Sequence, residues 1–278
     1  MPPHHDTVHE LLRLRVNGVN LKIAAARTTG RLAPVVFLHG FGGTKEDYTD
    51  VVLRPAFHDR PVIVFDAPGC GASECADLAA VDIPFLADTA RAVVDHLGVN
   101  RFHLVGHSMG GVSGLLLAHR QPGRVLSFVN MHGNLTPQDC FLSRPALSGH
   151  RPDFFAAFAE DVRRAPGYAA ALYATGLPHK VRRGAARGIL ESMVELSDHG
   201  GLMPKFLSLP CPRMFLYGEE HAGLPYLPQL DANGVELAEI PHSGHFPMYS
   251  NPVAMWRHIA EFHQRVESGH GGDVRFHA

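Results

Sequence analysis

A series of short, unbroken apolar runs dominates the chain: PVVFLH, PVIVF, FHLVG, VLSFVNM and, after a long gap, RMFLY. A strand with one face in water alternates apolar and polar residues, whereas a strand that is apolar throughout must be covered on both faces. Between the early runs the apolar residues recur with helical spacing. Strand and helix in alternation give an α/β architecture, a mostly parallel sheet with helices on both sides. Ahead of the runs, LLRLRVNGVNLKIAAAR alternates on either side of Asn17-Gly18, which predicts an antiparallel hairpin with a two-residue turn.

Two helices are well delimited. One begins near Pro84, places Ile83, Leu86, Ala90, Val93, Val94 and Leu97 on one face, and stops at Gly98. The other opens at Asn251-Pro252 and carries Met255, Ile259, Phe262 and Val266 on one stripe. From about Thr136 to Leu209 the strand rhythm stops and helical patterns follow one another, among them DFFAAFAEDVRR and GYAAALYATG. Ligands of open α/β sheets bind beyond the carboxyl ends of the strands, so an insertion after VLSFVNM is expected to lie over the site as a lid. The expected division is a discontinuous core (1–135 and 210–268), a helical cap (136–209) and a frayed tail (269–278).

Composition excludes several classes. With 278 residues, 45% of them hydrophobic, and a formal net charge of −2, the chain can bury a sizeable core and presents no polyanion-binding surface. Its one arginine-dense patch, RRGAARG from Arg182, reads as a solvated helix face rather than a nucleic-acid site. The four cysteines have no CxxC spacing and read as reduced thiols of a cytoplasmic protein. No window approaches the roughly 18 unbroken apolar residues of a membrane span. Twenty histidines invite a metal hypothesis, but neither HExxH nor paired Cys/His spacing occurs, and His242 and His245 share their loop with no acid. Neither a metal nor a cofactor is implied; the expected partner is a small-molecule substrate. Oligomeric state is not legible.

Gly106-His107-Ser108-Met109-Gly110 matches G-x-S-x-G directly after a strand and directly before a helix. Small neighbours let the backbone take a tight strand-to-helix turn that lifts the serine hydroxyl clear of the sheet, beside the positive end of a helix. The run PVVFLH ends in His39-Gly40-Phe41-Gly42-Gly43, a loop in which the Phe41 N–H can face the Met109 N–H as a two-donor oxyanion hole. IPHSGHFPMYSNP lies between the last strand and the last helix. His245 there occupies the place of a general base that comes last in chain order, with His242 as its competitor.

HGFGG, DAPGCGAS, GHSMGG and SGHFPMYSNP in this order, with a helical insertion, resemble the α/β-hydrolase fold family over roughly residues 10–268. The resemblance implies an eight-stranded, mostly parallel sheet, a helical cap and a Ser-His-acid triad, with Ser108 and His245 carried over. It gives Asp66 and Ser73 of DAPGCGAS a structural task.

The acid departs from that pattern. Relatives commonly carry it after the seventh strand, three residues past a glycine, where this chain has Gly218-Glu219-Glu220-His221; others carry it after the sixth, where this chain has Met131-His132-Gly133. Both positions hold a histidine. The competing readings are Glu219 or Glu220 swinging in from one residue off, Asp139 reaching back from the insertion, or a neutral His132 that orients His245 without supplying charge. The expected activity is a serine hydrolase acting on an ester, thioester, lactone or amide of a small to mid-sized hydrophobic molecule. The alternative is a hydrolase fold repurposed in a biosynthetic pathway as a lyase, cyclase, isomerase or ligand binder.

Overall fold

The computed structural model describes residues 7–148, 153–164 and 168–269. Its strands are β1 (Val8–Val16), β2 (Val19–Arg27), β3 (Val35–Leu38), β4 (Val62–Phe65), β5 (Glu74–Cys75), β6 (Phe102–His107), β7 (Val125–Met131), β8 (Arg213–Gly218) and β9 (Glu236–Ile240). Its α-helices are α1 (Ile83–His96), α2 (Met109–Arg120), α3 (Ser143–Leu147), α4 (Phe154–Arg163), α5 (Tyr168–Lys180), α6 (Arg183–His199), α7 (Leu202–Leu207), α8 (Leu227–Ala232), α9 (Pro247–Ser250) and α10 (Pro252–Gly269).

The strands form one sheet in the order β1-β2-β4-β3-β6-β7-β8-β9, with the two-residue β5 paired to β2 as a ninth. From β4 to β9 every pairing is parallel; β1, β2, β4 and β5 meet antiparallel. The eight-stranded expectation thus describes the continuous path, and β5 is too short to leave a sequence pattern. β3, β4 and β6 are buried at every position, as their apolar runs require. β1 at the edge keeps an exposed side, as its alternation requires. The hairpin turn is the one Asn-Gly favours: both residues have positive φ (48° and 86°), and Val16 pairs with Val19.

Local signals set the helix ends. The Asp82 carboxylate accepts a 2.7 Å hydrogen bond from the Phe85 N–H at the start of α1, and Gly98 at φ 69° follows its end. Asn251 caps α10 through the Ala254 N–H. Helix α10 runs to Gly269, so the expected tail keeps only residues 270–278, which lie outside the described residues. Trp256 of α10 packs edge-on against Phe37, Tyr48 and Phe57, and its indole N–H donates to Asp50.

Helices α3 to α7 all fall between β7 and β8. The arginine-dense patch is spent locally: Arg183 pairs with Asp153 and lies over Phe155, while Arg187 pairs with Glu191 and lies over Phe154. All four cysteines are free thiols. Among the described residues, no helix is long and apolar enough to cross a membrane.

Candidate active site

The loops that follow β3, β6, β7, β8 and β9 leave the same edge of the parallel sheet, and each brings one piece of the site. Ser108, between β6 and α2, has φ 50° and ψ −115°. A non-glycine residue held there costs about 1–3 kcal/mol and must be over-determined by its surroundings. Its N–H donates to the Met131 carbonyl (3.0 Å), its carbonyl accepts from the Val112 N–H (3.1 Å), and the turn is walled by close backbone approaches. A Cβ at Gly106 would collide with the Gly110 carbonyl, and one at Gly110 with the Leu38 carbonyl. The glycines are therefore required by contact as well as by turn geometry.

The loop after β3 is equally fixed. The His39 ring donates from Nδ1 to the Gly40 carbonyl (2.8 Å) and accepts the Ala67 N–H at Nε2 (2.9 Å). The Gly43 N–H closes on the Gly40 carbonyl, and the Tyr173 hydroxyl of α5 donates to the Phe41 carbonyl at 2.8 Å. Phe41 is thus held at the tip of the turn. Met109, across from this loop, is the first residue of α2, whose leading N–H groups have no intrahelical acceptor. In DAPGCGAS, Asp66 takes the Lys45 ammonium and backbone N–H together with the Ala72 N–H. The Ser73 hydroxyl bridges the Asp66 carbonyl and the Ala24 N–H.

His245 is half-buried after β9. Its carbonyl accepts from His107 Nε2 at 2.8 Å, so the middle residue of the G-x-S segment clamps the histidine loop. Its ring Nδ1 lies 2.5 Å from His132 Nδ1. His132 follows β7 at φ 52°, and its N–H extends the ladder to the Leu216 carbonyl. The His221 ring lies 4.2 Å from that of His132, centroid to centroid, so the two positions expected to carry an acid adjoin in space and are both imidazoles. Phe141 covers all three rings at 5.4–6.0 Å.

The candidate acids point elsewhere. Asp139 Oδ2 accepts from the Leu135 and Thr136 N–H groups and the Thr136 hydroxyl, and Oδ1 from the Tyr226 hydroxyl. Glu219 Oε2 accepts the His242 N–H, and His242 itself is exposed. The Glu220 carboxylate lies against Gly244, where a Cβ would collide with it. Among the described residues, His245 has no carboxylate partner, and no group of His, Cys, Asp or Glu converges as a metal site.

Burial lowers the pKa of every imidazole here. His107 falls to about 4, burial outweighing its bond to the His245 carbonyl. His132 and His245 fall well below the ordinary value, through burial and then through their neighbouring histidines. His221 is lowered by burial against the opposing pull of Glu220 and Asp139. All four shifts favour the neutral ring at pH 7. A neutral imidazole carries one N–H and one lone pair, so the His132–His245 contact holds a single proton.

Ser108 and His245 line one cavity together with Phe41, Phe158, Tyr173 and Met193, and its open space is only about 30 Å³. A second cleft of about 470 Å³ adjoins it across Phe141, Leu142, His245 and Phe246, and reaches Glu220 and His221. Sequence reasoning noted His221 as a substitution but did not join it to His132, and it assigned His107 no part. Both signals were present, one at a known acid position and one inside the serine motif.

An α/β sheet whose strand-to-helix serine shares a cavity with a histidine from the last strand's loop defines a class of protein. The sequence matches the profile of the alpha/beta hydrolase family over residues 35–257, and the chain belongs to that family. Among curated relatives, it is 42% identical over 95 residues to the dihydrolipoyllysine-residue acetyltransferase component of the acetoin cleaving system of Pseudomonas putida. That stretch covers 34% of this chain and 25% of the relative. It is 33% identical over 131 residues to a 2-hydroxy-6-oxononadienedioate/2-hydroxy-6-oxononatrienedioate hydrolase of Paraburkholderia phymatum, 46% of either chain. The matched stretch thus spans less than half the length of these relatives. The fold superposes on a carboxylesterase structure from Nitrososphaera gargenis with a TM-score of 0.75 at 16% identity, covering 93% of this chain and 100% of that one.

Proposed function

We propose that the protein is a serine hydrolase that cleaves an ester, thioester, lactone or amide of a small to mid-sized hydrophobic molecule. Ser108 Oγ attacks the carbonyl carbon and His245 Nε2 takes its proton. The Phe41 and Met109 N–H groups hold the tetrahedral oxyanion, and His245 then protonates the leaving group as the acyl-enzyme forms. Water, activated by the same histidine, releases the acid. The observation that carries this reading is Ser108 held at φ 50° on the wall of the cavity it shares with His245. His132 occupies the place of the acid: by accepting the His245 Nδ1–H it orients the base without supplying charge. Helices of the 136–209 insertion act as the lid, since Phe158, Tyr173 and Met193 close the cavity. The Paraburkholderia relative is named as a hydrolase, which supports hydrolysis in general.

A fluorophosphonate probe tests the reading. It should add covalently to the wild-type protein and not to Ser108→Ala; equal labelling of both, or of neither, overturns it.

One observation favours a second reading, a fold repurposed for elimination, cyclisation, isomerisation or ligand binding: His245 lacks a carboxylate partner among the described residues. In a serine-protease template, replacing the triad aspartate by its amide costs about 10⁴ in rate. Under this reading, restoring an acid with His132→Glu brings no gain in ester turnover.

A further inference from the structure

We infer that His221 is a positioning residue that sets the tautomer of His132, and through it makes His245 a base. The inference rests on the hydrolase reading and concerns how that site works without an adjacent carboxylate.

The 2.5 Å contact between the Nδ1 atoms of His132 and His245 can be made in two ways. If His132 donates, His245 accepts at Nδ1 and carries its proton on Nε2, the nitrogen left for Ser108. It then has no lone pair to take the serine proton. If His132 accepts, His245 is the Nδ1–H tautomer with a free lone pair at Nε2, and His132 must carry its own proton on Nε2. The second arrangement is the competent one, and it leaves an N–H on His132 Nε2 in need of an acceptor.

His132 Nε2 is buried with no hydrogen-bond partner among the described residues, and so is His221 Nδ1. These two unpartnered nitrogens sit on rings whose centroids are 4.2 Å apart. One needs an acceptor and the other can be one. A small rotation of the half-buried His221 ring, or one bridging water, joins them, with His221 carrying its proton on Nε2 toward the outer cleft it lines. Burying an unpaired polar group costs about 1–3 kcal/mol, so the two nitrogens pair. The reverse chain would pair them equally, and the direction is set at the outer end, where the Glu220 carboxylate lines the same cleft as His221 and favours an N–H on the ring nitrogen turned toward it. The negative field of Glu220, and then of Asp139, favours a proton on that ring. The order is then Ser108, His245, His132, His221, with no carboxylate against the base among the described residues.

Imidazole ¹⁵N shifts report the tautomers directly and need neither substrate nor activity. The wild-type protein should show His245 as Nδ1–H and His132 as Nε2–H. His221→Leu, which removes the acceptor, should move His132 to Nδ1–H and His245 to Nε2–H. His221→Asn, whose side-chain oxygen can stand near the Nδ1 position, should keep the wild-type pattern. With a nitrophenyl ester, His221→Leu should lower kcat by about 10- to 100-fold at unchanged KM, with His221→Asn largely restored. Wild-type tautomers in His221→Leu, or equal losses in both variants, overturn the inference. Failure of the hydrolase reading shows separately, as a wild-type protein that the fluorophosphonate does not label.

Discussion

His132 Nδ1 and His245 Nδ1 stand 2.5 Å apart, one proton between a buried imidazole and a half-buried one. Under the proposed mechanism, a carboxylate in the place of His132 would attract the positive charge that His245 acquires on taking the serine proton. A neutral imidazole orients the ring but leaves that charge uncompensated, and a cationic one would oppose it. The pair therefore allows catalysis by a base that is well oriented and weakly supported.

His132→Glu should restore the missing charge. We expect turnover of a nitrophenyl ester at pH 8 to rise by about 10²-fold or more, within the roughly 10⁴ that an aspartate contributes in the protease template. A steady-state assay of the variant checks this, and unchanged turnover favours the repurposed reading.

The pH profile follows from the direction of the His245 shift. Burial and its histidine neighbours lower the pKa of His245, so it remains the free base well below the ordinary histidine range. The acidic limb of kcat/KM should therefore lie clearly below pH 6.5, with a plateau from about pH 7 to 8. In His132→Glu the new carboxylate favours the imidazolium, and the limb should move upward. A wild-type limb at pH 7 would contradict the account.

Chamber size should set chain-length preference. The chamber beside Ser108 is narrow, with about 30 Å³ of open space between Phe41, Phe158, Tyr173 and Met193. Short acyl groups such as acetyl should be turned over in preference to octanoyl. Met193→Ala or Phe158→Ala, each removing a wall of that chamber, should shift the ratio of kcat/KM values toward the longer chain by about tenfold. A series of nitrophenyl esters reads the ratio.

Acid stability should depend on a second cluster, at the opposite end of β6. Arg60 binds Glu267 through two nitrogens, and His103 bridges Glu267 and the Ser127 hydroxyl. Burial alone would raise the Glu267 pKa, but the bonds from His103 and Arg60 outweigh it and bring it to about 2. A carboxylate depressed in the folded state stabilises fully above its unfolded pKa. Its contribution, on the order of 2 kcal/mol, should be lost as pH falls from about 4.5 to 2. Glu267→Gln should lower the Tm at pH 7 and flatten that acid loss. Against the His103 ring lies His263, 1% exposed and without a partner for either ring nitrogen among the described residues. His263→Leu should leave the Tm unchanged or raise it.

The sheet was legible because parallel strands buried on both faces write themselves as unbroken apolar runs, and helices α1 and α10 because Asp82 and Asn251 cap them. β9 was harder to read, since ELAEI at the sheet edge is only partly buried. The Ser108 turn and the Phe41 loop were legible because backbone contact demands glycine at fixed positions, and glycine is visible in a sequence. The pairing of His132 with His221 was not. It is made by the ends of two strands adjacent in the sheet but far apart in the chain, and neither residue has a local pattern that names its neighbour. The fate of Asp139 was hidden similarly: its carboxylate is consumed by its own turn and by Tyr226, 87 residues away.

The central claim, that His245 activates Ser108 with an imidazole behind it, is tested most directly by the rate at which a fluorophosphonate modifies Ser108, followed by intact-protein mass. The account predicts one adduct on the wild-type protein, none on Ser108→Ala, and a rate at least about 10³-fold lower in His245→Ala. Equal rates for the wild-type protein and His245→Ala would contradict it.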